Sequence, residues 1–229
     1  MKSVKSILKA ELVAGRSLFD WLFLCTGIIV QIAVYIIQPE NVVAVVSGIT
    51  GIISVILCAQ GKISTFFFGF LQISTYLYLS LLEKLYGEVA VNVFYFLSQI
   101  YAVFVWIKAY RITEHNSAEL KPKQMSISRF VILIVFVLAS SAIVGWLLQT
   151  YTDDSQPWLD AFTTVPALCA QVLLMLAYRE QWVLWFVVDV LSAIMWARAC
   201  NWCLFAQYLF WCANCIYGWH RWTIKSRKS

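Results

Sequence analysis

The chain has 229 residues, of which 62% are hydrophobic and 13% charged, and its mean hydropathy is +0.76. A soluble domain of this length carries about a quarter charged residues and has no core large enough to hide so much apolar surface. A soluble fold is excluded, and continuous rather than alternating apolar runs exclude an outer-membrane barrel. The formal net charge of +5 then reports membrane orientation, not a nucleic-acid partner.

In chain order, Met1 to Asp20 interleaves Lys2, Lys5, Lys9 and Arg16 with Val4, Ile7, Leu8, Leu12, Val13 and Leu18. That pattern predicts an interfacial amphipathic helix, not a cleaved signal. Hydropathy then predicts eight spans: Trp21–Gln38, Asn41–Ala59, Ile63–Leu82, Glu88–Tyr110, Ser128–Thr150, Trp158–Tyr178, Gln181–Ala199 and Trp202–Trp222. Connections are short except for the polar stretch Arg111 to Arg129, which contains Pro122 and is the best boundary. The expected class is an all-α polytopic membrane protein with eight transmembrane helices.

Charge tests that count. If eight spans alternate sides, every Lys and Arg except Lys84 and Arg198 falls on one face. The positive-inside rule makes that face cytoplasmic, with both termini and the long loop.

The chain also resembles itself. Gly61 to Trp106 and Glu180 to Trp222 align so that Gln72 answers to Asp189 within one position, Tyr101 to Tyr217 and Trp106 to Trp222. With the second and sixth spans ahead of them, these make a 3+1+3 plan plus one extra N-terminal helix. The odd linker helix keeps the repeats parallel, an arrangement similar to SWEET-type carriers, where substrate binds near the midplane at the repeat interface. The expected division is residues 1–40 (amphipathic segment and extra helix), 41–110 (first repeat), 111–157 (loop and linker helix), 158–222 (second repeat) and 223–229 (basic tail).

Chemistry concentrates on the seventh span. As a helix, Trp182, Trp185, Asp189, Ser192 and Trp196 share one face. Asp189 then lies roughly 10 Å deeper than Trp182, near the midplane. A carboxylate there costs about 2.5–3.5 kcal/mol on insertion scales, so it should face a wet or polar cavity. Polar stripes recur on the third span (Gly69, Gln72, Tyr76), the fourth (Asn92, Tyr95, Gln99) and the eighth (Gln207, Trp211, Asn214, Gly218). The expected substrate contacts are Trp182, Trp185, Asp189, Gln72, Gln99, Asn92, Asn214, Tyr217, Trp196 and Tyr76. Against that stands interhelical glue for each amide, worth a fraction of a kcal/mol to about 2. Tryptophans at span ends read as an aromatic belt, and Trp196 fits gate, belt or site. Gly48 and Gly51 read as close-approach positions.

Other chemistry is not supported. Cys200 with Cys203 and Cys212 with Cys215 make CxxC pairs, but in or beside an apolar helix they read as packing, not as zinc ligands. Gly61-Lys62 lacks the rest of a phosphate loop. No nucleophile–base set accompanies Asp189, so neither an enzyme nor a bound cofactor is expected. No Lys or Arg lies deep within a predicted span, which points to an unphosphorylated substrate.

These residues resemble those of the PnuC-type vitamin transporters. The likeness rests on Trp182-Val183-Leu184-Trp185 after Glu180-Gln181, on Gly61-Lys62-Ile63-Ser64 and on Tyr86-Gly87-Glu88. It also rests on Asp160-Ala161 with Thr163-Thr164 and on Asn214-Cys215-Ile216-Tyr217-Gly218-Trp219, and it covers Asn41 through Trp222. The resemblance implies facilitated uptake of nicotinamide riboside across a bacterial inner membrane, with trapping by cytoplasmic phosphorylation. It also implies that Trp182, Trp185 and the polar residues around them contact substrate. Relatives carry thiamine, riboflavin or deoxynucleosides, so the substrate stays open at this point. A pyridinium with a carboxamide suits indole faces, an acid and neutral amides; thiamine, also a cationic aromatic, is the closest rival. A single acid leaves proton coupling open as well. Carriers of this size commonly assemble, and a homo-oligomer, guessed as a trimer, is expected.

Overall fold

The structure, a computed structural model, describes residues 17–37, 42–82, 86–112, 120–153, 156–198 and 200–227. Of the amphipathic segment expected over Met1 to Asp20, residues 1–16 lie outside the described residues, as do Lys84 and much of the polar loop. Eight helices are described. They are α1 (Leu18–Ile37), α2 (Val42–Gln60), α3 (Thr65–Leu82), α4 (Tyr86–Ile112), α5 (Ile127–Tyr151), α6 (Pro157–Met175), α7 (Gln181–Arg198) and α8 (Trp202–Arg227). The first seven are long and apolar enough to cross a membrane. The last has 26 residues, but its Trp, Tyr, Asn and Gln content and basic end dilute its apolar character. Its length of ~39 Å still exceeds a bilayer's hydrocarbon thickness.

The chain divides into two compact units at Lys121 and Pro122. In the first, α1 starts with a reciprocal cap: the Ser17 N–H donates to Asp20 Oδ2 (2.8 Å) and the Asp20 N–H to Ser17 Oγ (3.2 Å). Helices α2 and α3 are tied by Ser54 and Thr65, whose hydroxyls donate to each other's backbone carbonyls at 2.9 and 2.8 Å. Such bonds are favoured in lipid, where nothing else can satisfy a hydroxyl. Helices α3 and α4 meet through Phe66 and Trp106, edge to face with centroids 4.9 Å apart.

In the second unit, α5 packs on α6 where Gly145 admits the Trp158 ring; a Cβ at Gly145 would lie 2.7 Å from that indole. Ala170 and Leu173 of α6 and Leu184 of α7 form a buried cluster, flanked by Leu133 and Ile134 of α5. Helices α7 and α8 meet through Trp182 and Trp222, again edge to face, at 5.7 Å.

Both units end their second helix, α2 and α6, in the same way. Gly61 (φ 71°) and Ala177 (φ 61°) are left-handed. The Lys62 N–H reaches back to Leu57 O (2.9 Å), and the Tyr178 N–H to Leu173 O (2.8 Å). These are the C-terminal motifs that stop a helix and reverse the chain. Each left-handed carbonyl then accepts a bond from the segment joining the units, Gly61 O from the Leu120 N–H (3.1 Å) and Ala177 O from the Lys123 N–H (2.8 Å). Phe66 and Trp106 precede Trp182 and Trp222 by the same number of residues as Gly61 precedes Ala177.

Candidate substrate site

Helix α7 begins directly after the Ala177 turn. Lys123 and Met125 strap that start: the Arg179 N–H donates to Lys123 O (3.0 Å), and the Met125 N–H to Glu180 Oε1 (3.1 Å). Glu180 also holds Arg179 in an ion pair at 3.1 Å, and the guanidinium lies 4.9 Å from the Trp219 ring. The helix therefore leaves its turn in a fixed rotation, and that rotation aims the residues below it.

Asp189 is 4% exposed, and the Cys215 thiol of α8 donates to its Oδ2 at 3.3 Å. It forms no ion pair with any described residue. A thiol is a weak donor, so the carboxylate is left with little compensation inside the unit. Trp182 is buried against α8, its indole flush on Gly218; a Cβ there would sit 2.5 Å from the ring. Its Nε1 finds no acceptor among the described residues. Trp185 turns the other way, half-buried against the Ala170 and Leu173 cluster of α6. The stripe thus splits: Trp182 and Asp189 address α8, and Trp185 addresses α6. Trp196 is half-buried, and its Nε1 also lacks a partner among the described residues. On α8, Asn214 is buried beside Cys215, and Tyr217 accepts a bond from Arg221 Nη1 at 3.0 Å.

In the first unit, the amide of Gln99 lies across Gly69, where a Cβ would come within 2.7 Å of it. Its Oε1 is buried without a donor among the described residues. Gln72 lies over Gly51, and its backbone carbonyl accepts the Ser47 hydroxyl at 3.2 Å. Asn92 is buried and donates to Glu88 O one turn back (2.8 Å), whereas Tyr76 is exposed and its hydroxyl bonds to Glu88. Asn92 is thus engaged by its own helix, and Gln99 offers a free acceptor.

Two residues of the second unit escaped sequence reasoning. Gln181 is 0% exposed, and neither of its amide atoms has a partner among the described residues. Its signal was present, a polar residue immediately before Trp182 in an apolar run. Cys215 had no such signal, because a cysteine in an apolar helix reads as packing. Buried, unsatisfied amides and indole N–H groups cost free energy that a polar guest can return. A nearly naked carboxylate favours a guest with positive charge.

The match of the family model for nicotinamide mononucleotide transporters spans residues 41–224. The nicotinamide riboside transporter PnuC of Neisseria mucosa is 33% identical over 226 residues, covering 94% of this chain and 84% of that protein. The transporter of the same name from Haemophilus influenzae is 33% identical over 217 residues, covering 94% of each. The crystal structure of a vitamin B3 transporter PnuC superimposes with a TM-score of 0.81 at 30% identity, over 99% of both chains.

Proposed function

The chain belongs to the nicotinamide mononucleotide transporter family, and from that premise we propose that it carries nicotinamide riboside into the cell. The observation that carries this reading is Asp189: a buried carboxylate on a membrane-length helix, held by one thiol and facing no cation of the described residues. A pyridinium supplies the missing charge, and indole faces attract such a ring by up to ~2 kcal/mol when desolvated. The neutral amides of Gln72, Gln99, Asn92, Gln181 and Asn214 suit a carboxamide and ribose hydroxyls. Trp182, Trp185, Trp196, Tyr76 and Tyr217 complete the proposed contacts.

The family model is described by the mononucleotide and the relatives by the riboside. Charge placement favours the riboside. In every described helix Lys and Arg are confined to the first or last two turns. A phosphate brought to the level of Asp189 would therefore meet an acid and no base, at prohibitive cost.

Movement follows alternating access down the substrate gradient, with each three-helix repeat acting as a body. The matched turns at Gly61 and Ala177 and the matched aromatic pairs support two repeats of one design. We place the protein in a bacterial inner membrane, the confinement of nearly all Lys and Arg to one side supporting cytoplasmic termini, and propose that it assembles as a homo-oligomer.

Uptake of radiolabelled nicotinamide riboside into proteoliposomes tests the reading. Saturable uptake with counterflow, unaffected by the mononucleotide and weakly inhibited by thiamine, is expected. Stronger inhibition by thiamine, or uptake of the mononucleotide, overturns the substrate assignment; product formation instead of flux overturns the carrier.

A further inference from the structure

A cavity of about 420 Å³ lies between α7 and α8, its inner end lined by Val190, next to Asp189, and by Cys212, one turn before Cys215. Its lining combines the small side chains of Ala193 and Ala197 with the larger apolar Val190, Phe205 and Leu209. Ile194 and Leu209 at the rim are exposed, so the groove opens outward. Its one charged lining residue is Arg198, the last residue of α7. From Val190 to Arg198 the helix rises ~12 Å, so the groove starts among apolar side chains and finishes at a cation at the helix end.

That polarity gradient is the gradient of a lipid. Small side chains leave an apolar trough that a methylene chain can fill. An arginine at the membrane boundary meets the level of phosphates. Arg198 forms no ion pair with any described residue, although Asp153 and Asp160 belong to the same unit. A cation at the C-terminal end of a helix also complements the helix dipole, but that role needs no groove and selects no ligand.

We propose that this groove binds one anionic phospholipid, an acyl chain lying on Ala193 and Ala197 and the phosphate pairing with Arg198. The occupant is a lipid and not a second copy of the chain, because a protein side would have to supply a lone acid at the headgroup level and a narrow chain-like ridge below it.

The test uses the full-length protein in detergent, stripped of lipid, with retained lipid counted by native mass spectrometry. Wild type should hold one phosphatidylglycerol in preference to phosphatidylethanolamine. Arg198→Gln should erase that preference, with retention falling roughly fivefold, the effect of one basic residue near an anionic surface. Ala197→Leu, which fills the trough and keeps the charge, should reduce retention of both lipids. Inorganic phosphate in excess should not displace the lipid. Equal retention by wild type and both variants overturns the proposal. So does displacement by phosphate alone, or a change in oligomeric state with lipid retention unmoved. Because Ala197→Leu keeps the arginine, a misfolded Arg198→Gln does not shelter the idea from refutation.

Discussion

Trp182 stands edge-on to Trp222, centroids 5.7 Å apart and planes at 89°, with its indole pressed against the backbone at Gly218. The contact depends on the absence of a Cβ at Gly218. Gly218→Ala would drive a methyl to within 2.5 Å of a rigid, buried indole ring. Gly69→Ala meets the end of a glutamine side chain, and Gly51→Ala only the Gln72 Cγ at 3.1 Å. Thermal unfolding in detergent should rank the losses Gly218→Ala, then Gly69→Ala, then Gly51→Ala. Overpacking costs about 1–3 kcal/mol, and Gly218→Ala should sit at the top of that range.

The turns at Gly61 and Ala177 are one conformation occupied by two residue types. A left-handed non-glycine residue costs roughly 1–2 kcal/mol, so Ala177→Gly should raise stability by about 1 kcal/mol once the added chain entropy is subtracted. Gly61→Ala should lower it by a similar amount. Melting curves of the two variants should shift in opposite directions; a shift of the same sign would mean that the two turns are not equivalent.

Apolar runs of span length were legible because a bilayer leaves a helix no alternative way to satisfy its backbone. The Asp189 stripe was legible for the same reason, since an acid in such a run is costly enough to be noticed. Partners were not legible. Trp182 and Trp185 are three residues apart and share a face, yet α7 lies against both α6 and α8, so neighbours on one face diverge to two helices. Gly48 and Gly51 read as close-approach positions, but only the neighbouring helices reveal that Gln31 and Gln72 are what they admit. The pairing of Cys215 with Asp189 depends on the rotation of α8, which no local pattern encodes.

Glu180 accepts from Arg179 and from the Met125 N–H while nearly fully buried. Glu180→Ala should be strongly destabilising, about 3–5 kcal/mol less a discount for the partly exposed guanidinium, because a cation and a backbone donor lose their partner together. Glu180→Gln keeps an acceptor for Met125 and should recover part of that loss. If the two variants unfold at the same temperature, the strap contributes nothing to α7.

Trp185 and Trp182 separate binding from stability. Trp182 is buried in helix packing, whereas Trp185 is half-buried at the edge of its cluster. Trp182→Ala should lower stability by about 3–5 kcal/mol, as for a large buried aromatic. Trp185→Ala should leave a folded protein that has lost high-affinity riboside binding. Titration calorimetry showing unchanged affinity for Trp185→Ala would remove the ring from the site.

Asp189 and Cys215 allow a finer separation. If the carboxylate serves the substrate's charge, Asp189→Asn should weaken cationic nicotinamide riboside more than its uncharged reduced form. A hydrogen bond to a charged group is worth about 1.5–3 kcal/mol, so the difference should be about ten- to a hundredfold in Kd. The thiol acts on Asp189 and not on the guest, so Cys215→Ser, which keeps a donor, should bind both forms nearly as wild type does. Cys215→Ala removes the thiol that donates to Oδ2 at 3.3 Å, the one hydrogen bond of the carboxylate among the described residues, and leaves the charge less compensated. It should therefore favour the cationic form over the neutral one relative to wild type, the reverse of Asp189→Asn. Parallel losses for both substrate forms in Asp189→Asn would make the acid a structural element, whatever the cysteine variants do.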